Sequence, residues 1–172
     1  MTILDRRHLI GGLLAGGGAL AAQAAHAAPD PLNLDDLTQE ATLSCLYHCD
    51  FSDDRRYDAM LSNINNHLLA YDFDPFEIKI VIVAHGGGVK YHLSDLLGTP
   101  WESSPPVDPD LLQRMRGLAS YGVEVYLCQL TFERFEIDLS KARGESYLKL
   151  VRSGVAAIGQ LQGKGYAYLK VG

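Results

Sequence analysis

From residue 41 onward the apolar positions follow two alternating rhythms. Ile78, Ile80, Val81, Ile82 and Val83 make an almost continuous β-branched run across residues 77–84, the pattern of a strand buried on both faces. Residues 123–128 repeat it more briefly, and shorter runs at 41–49, 147–151 and 166–171 bring the predicted strands to five. Between them the spacing changes to three and four. Tyr57, Met60, Leu61, Ile64, Leu68 and Tyr71 form one apolar helix face, and Leu111, Leu112, Met115 and Leu118 another, the second opened by Asp108 and Pro109. Further helical stretches are predicted at 89–97, at a turn over 131–135, and from Ser153-Gly154 to Leu161. Strands joined by helical crossovers predict a three-layer α/β/α sandwich with a mostly parallel five-stranded sheet. Residues 29–40 read as an acidic arm without a core pattern, and residues 98–109 as a long loop carrying Trp101.

Length changes this picture only by limiting it, since 172 residues fit one domain with a real core and not two. A net charge of -6, with no cluster of Lys or Arg, argues against a nucleic-acid partner. The amino terminus stands apart from the domain at 41–172. Arg6-Arg7 precede a Gly/Ala-rich apolar run from Leu9 to Ala22, and Ala25-His26-Ala27 fits a small-x-small cleavage site. Residues 1–28 therefore read as an export signal peptide, with a twin-arginine character from the paired arginines and an ordinary secretory signal as the alternative route. The expected location is the periplasm. The apolar run falls short of the roughly 20 residues a bilayer span needs, so no membrane span is expected after leader removal.

Candidate chemistry follows from where strands end. In a parallel α/β sheet, sites form beyond the carboxyl ends of the strands. Four predicted ends converge on one edge: His48 and Asp50, His85 with Gly86, Gly87 and Gly88, Cys128 with Thr131, and Ser153 with Gly154. Cys128 reads either as a nucleophile, its thiolate favoured by amides of the following turn, or as a small buried hydrophobe. The three glycines fit an anion-binding loop or a tight turn with equal ease, and their spacing matches neither the dinucleotide nor the P-loop fingerprint, so no cofactor is expected. No local ligand pair has metal-site spacing, and no metal is expected. In an oxidising compartment the odd count of Cys45, Cys49 and Cys128 leaves a free thiol or an intermolecular bond. Cys45 and Cys49 lie about 13 Å apart along one strand and cannot bond to each other. Cys49 reaches Cys128 only if their strands are neighbours.

Several segments together resemble the DsrE/DsrF-like family. They are Tyr47-His48 with Asp50, the helix text at 60–68, Ile80-Val81-Ile82-Val83-Ala84-His85-Gly86-Gly87-Gly88, residues 122–131 around Cys128, Ser153-Gly154-Val155-Ala156, and the Gly-Tyr-Ala-Tyr segment within 162–170. The resemblance implies a compact parallel α/β domain that assembles into homotrimers or hexamers. It also implies, from the sulfur-oxidising members, a cysteine at this strand end that accepts a persulfide from a donor protein and passes it to an acceptor. By position that residue is Cys128. The leading expectation is an exported sulfur carrier or sulfurtransferase-type protein acting through Cys128, with His85 and the glycine loop lining the pocket and His48 stabilising the thiolate. Its rivals are a noncatalytic homo-oligomeric module that binds a small anion or a protein partner, and a thiol redox protein using Cys49 and Cys128.

Overall fold

A computed structural model describes residues 27–37 and 41–172. The predicted leader lies outside them apart from its last two residues. The chain forms β1 (Asp30–Pro31), β2 (Leu43–Cys49), α1 (Asp54–Leu69), β3 (Ile78–Ala84), α2 (Pro109–Ala119), β4 (Glu124–Cys128), α3 (Gln129–Arg134), β5 (Leu148–Val151), α4 (Gly154–Gly163) and β6 (Ala167–Lys170). One sheet runs β1-β5-β4-β3-β2-β6. Every neighbouring pair in it is parallel.

The β-branched run of β3 accounts for its central place, with every residue from Ile78 to Ala84 except Lys79 buried. Strand side chains alternate, so two separate cores form. Cys45, Tyr47 and Cys49 of β2, Ile80, Ile82 and Ala84 of β3, and Val125 and Leu127 of β4 face α1 and α2. Leu46 of β2, Val81 and Val83 of β3, and Tyr126 of β4 face α4 and Leu34. Asp53 caps α1, its carboxylate accepting from the Arg56 amide at 2.8 Å. Asp108 caps α2 in the same way, with Pro109 at the first helical position where its missing N–H costs nothing.

Three expectations need correction. The sheet has six strands rather than five, because the arm at 29–40 supplies β1, which pairs with β5 through Asp30↔Lys149 and Pro31↔Leu150. The Leu32 amide extends that ladder to the Leu150 carbonyl at 2.8 Å, and Leu34 is buried. A two-residue strand has no period to read, which is why the sequence pattern is silent there. Residues 89–97 do not form a regular helix. A 3-10 segment spans Gly86–His92 instead, with Val89, Lys90, Tyr91 and His92 all buried and Tyr91 stacked on Tyr57 at 3.8 Å between ring centroids. A segment buried on every side cannot be amphipathic. The helical turn expected from residue 131 begins at Gln129, so Cys128 itself occupies the cap position of α3. Among the described residues no helix is long and apolar enough to cross a membrane.

Candidate functional site

The carboxyl ends of β2, β3, β4 and β5 bring most of the candidate residues to one edge. Register aligns Cys49 with Ala84, and Ala84 with Leu127. Cys128, one residue further, therefore points to the opposite face from Cys49. His48, aligned with Val83 and through it with Tyr126, shares the face of Cys128. The condition for a Cys49–Cys128 disulfide fails twice, since β3 lies between their strands and the side chains leave opposite faces. All three cysteines are free thiols. Cys49 is fully buried, which pushes its thiol well above the ordinary range, so the redox reading through this pair is set aside.

On the α4 face a histidine pair forms. His48 Nε2 and His85 Nε2 share a hydrogen bond of 2.6 Å, and the rings stack at 4.8 Å between centroids. His48 Nδ1 bonds the Tyr168 hydroxyl at 2.7 Å. One ring must donate to the other, so the facing nitrogens share a single proton with both rings neutral, and an added proton goes to a ring nitrogen that faces away from the pair. Burial pulls the proton affinity of both rings below that of a free histidine. The Asp50 carboxylate pulls the other way but is half exposed, and at 4.0 Å from His48 it is too far for a hydrogen bond. Burial wins, and both rings are neutral near pH 7.

Gly154 joins this pair to Cys128. A Cβ placed on Gly154 would stand 2.9 Å from His85 Cβ and 3.2 Å from Cys128 Cβ. The first residue of α4 thus packs against both the histidine and the cysteine, and only a hydrogen fits there. Ser153 caps α4, its hydroxyl accepting from the Ala156 amide at 3.3 Å. Thr131 is buried and its hydroxyl accepts from the Gly86 amide at 3.0 Å, which ties the glycine loop to α3. Cys128 is 5% exposed, while Leu130, two residues on in α3, and Val155, next to Gly154 in α4, are exposed.

The glycine loop is occupied by its own neighbours. A Cβ on Gly88 would lie 2.1 Å from the Cys49 carbonyl oxygen, and one on Gly87 would lie 2.8 Å from backbone atoms of Phe51 and Ser52. Close approach to the turn after β2 accounts for both, so of the two readings the tight turn is the one the geometry explains. Gly86 has a φ of 51°, a left-handed conformation suited to glycine. Among the described residues no group of three His, Cys, Asp or Glu side chains is disposed to hold a metal ion. Tyr168 is not among the candidate site residues read from the sequence, because its bond to His48 depends on β6 crossing beside β2.

The parallel sheet makes this an α/β domain, with Cys128 and the histidine pair together on one face at its carboxyl edge. The model of the DsrE/DsrF-like family matches residues 51–171, and the chain belongs to that family. Among solved structures it is similar to a protein of unknown function, MTH1491, from Methanobacterium thermoautotrophicum, at 23% identity and a TM-score of 0.58, over 74% of this chain and 98% of that one. That likeness supports the fold. No curated protein matches.

Proposed function

We propose that Cys128 is a sulfur-accepting thiol and that the protein carries sulfane sulfur between a donor and an acceptor. The observation behind this is that Cys128 and His85 both pack against Gly154, with His85 in turn bonded to His48. In the proposed step the Cys128 proton passes to the neutral histidine pair. The thiolate then attacks the outer sulfur of a persulfide or polysulfide. One S–S bond forms as the donor's S–S bond breaks, and the electron pair leaves on the donor thiolate, which takes the proton from the histidines. No outside oxidant is consumed. Export and self-assembly belong to the same proposal, resting on the Arg6-Arg7 leader pattern and on family resemblance.

The slight exposure of Cys128 favours one rival, a noncatalytic crevice that holds a ligand without bonding it. Intact-mass measurement after incubating reduced protein with polysulfide separates the two. A carrier gains whole sulfur masses, keeps them in Cys45→Ser, and loses them in Cys128→Ser. If no donor adds mass to the native protein, the carrier reading fails and the binding module stands.

A further inference from the structure

We propose that the protein has a second binding site, a cleft that takes a small monocarboxylate with an apolar body and holds the carboxylate on Arg143. The cleft has a volume of about 600 Å³ and contains none of the residues around Cys128. Its apolar lining comes from Leu93, Leu96, Leu97, Pro106 and Val107. This is the size and apolar character of a small-molecule site with few polar anchors.

Charge selects the ligand. Asp95 is held by Lys141 at 2.6 Å, and Glu102 sits exposed at the rim with one oxygen accepting from the Gly98 amide. Glu145, the acidic neighbour of Arg143 in the chain, is taken by Arg116 at 2.6 Å. Among the described residues Arg143 makes no ion pair, and its Nε is buried without a hydrogen-bond partner. A half-buried guanidinium with no anion in contact is costly, Glu145 acting on it only from beyond ion-pair distance, and a carboxylate matches its planar fork of donors. A dianion such as phosphate is disfavoured because Arg143 is the one unpaired cation among the described residues lining the cleft and Glu102 stands unpaired at the rim. The apolar walls add a hydrocarbon body to the requirement.

The cleft is also built before any ligand arrives. Leu93 and Ala142 form an antiparallel bridge, the Arg143 amide donates to the His92 carbonyl at 2.8 Å, and the Ser94 amide donates to the Lys141 carbonyl at 2.8 Å. Lys141 Nζ further donates to the Leu97 carbonyl at 2.6 Å. Arg143 is thus fixed relative to the leucine wall, and little ordering remains for binding to impose.

The test uses octanoate, with octanol and inorganic phosphate as comparison compounds. Binding is followed by calorimetry and by the fluorescence of Trp101, the chain's one tryptophan, next to cleft residue Glu102. Octanoate is expected to saturate a single site and to bind at least about ten-fold tighter than octanol, since the charged hydrogen bonds are lost in the alcohol. Arg143→Gln is expected to remove a similar factor. Leu97→Glu, on a side chain that is 68% exposed, is expected to weaken octanoate by placing a like charge at the rim while leaving the melting temperature unchanged. Cys128→Ser binds octanoate as the native protein does, so failure of the sulfur reading leaves this result intact. Equal affinity for octanoate and octanol, or native affinity in a folded Arg143→Gln, overturns the proposal. So does the absence of octanoate binding at millimolar concentration. If Leu97→Glu then changes the sedimentation of the protein, the occupant is a second polypeptide.

Discussion

Gly154→Ala probes the surface against which Cys128 and His85 both pack. The glycine is buried at the first position of α4 and its φ is not in the left-handed region, so alanine is acceptable to the backbone. The obstacle is steric. The new methyl would stand 2.9 Å from His85 Cβ, 3.2 Å from His85 Cδ2 and 3.2 Å from Cys128 Cβ. Those Cβ atoms move only with their strands, so the contact cannot be relieved by turning a flexible side-chain end. Overpacking of this kind costs about 1–3 kcal/mol. For a domain of this size about 2 kcal/mol lowers the melting temperature by roughly 5–10 °C. Gly159→Ala on the same helix is the control, because nothing lies within 4 Å of its added Cβ. Alanine there is expected to stabilise by about 0.5–1 kcal/mol through helix propensity. Melting curves measured by circular dichroism, with sulfur loading measured in parallel, read both effects. If Gly154→Ala melts with the native protein, the close approach is wrong, and with it the argument that His85 serves Cys128.

Other expectations follow from the same geometry. Gly88→Ala forces a methyl to within 2.1 Å of the Cys49 carbonyl and should yield insoluble protein, whereas Gly98→Ser, in open space but at a φ of 68°, should remain soluble with a loss of about 1–2 kcal/mol read by urea unfolding. His92 is fully buried and burial lowers its pKa from 6.5 to about 3. The unfolded chain therefore binds a proton that the folded one refuses, and stability falls as pH drops below about 6.5, by about 1.4 kcal/mol per pH unit until pH 3 is approached. His92→Phe should flatten that slope in melts taken from pH 7 to pH 4.5. Lys90 is 3% exposed and bonds Asp54 at 2.8 Å. Asp54→Ala, which strands the buried ammonium, should destabilise more than Lys90→Met, which removes it, with a gap of about 1–3 kcal/mol in denaturant melts.

The layers of the fold were legible because burial on two faces leaves an unmistakable trace in β3 and three-four spacing leaves one in α1. The ends of the sheet were not. Asp30 and Pro31 form a strand only because β5 offers an open edge, a fact about residues more than a hundred positions away. At the site the sequence brought the right segments to one edge, since strand ends follow from strand order. It could not decide which face each side chain takes, and that parity separates Cys49 from Cys128. Nor could it tell that Gly87 and Gly88 are spaced to let two backbones pass, because an anion cradle and a close crossing both require the same missing side chains. His48 and His85 meet across 37 residues, and Tyr168 joins them from 120 residues beyond His48. Such a chain is written in topology and has no local signature.

The alternation that sends Cys49 and Cys128 to opposite sides has a consequence for traffic. Cys45 and Cys49 lie together behind the sheet, and the sequence holds no fourth cysteine. Whatever Cys128 takes on, whether sulfur or an oxidant's oxygen, no second thiol of the same chain can come round to remove it. Discharge must be a meeting of two molecules, whether the other is a second copy, a different protein or a small nucleophile. The sheet acts as a bulkhead, and it leaves each chain with one berth and no internal exit.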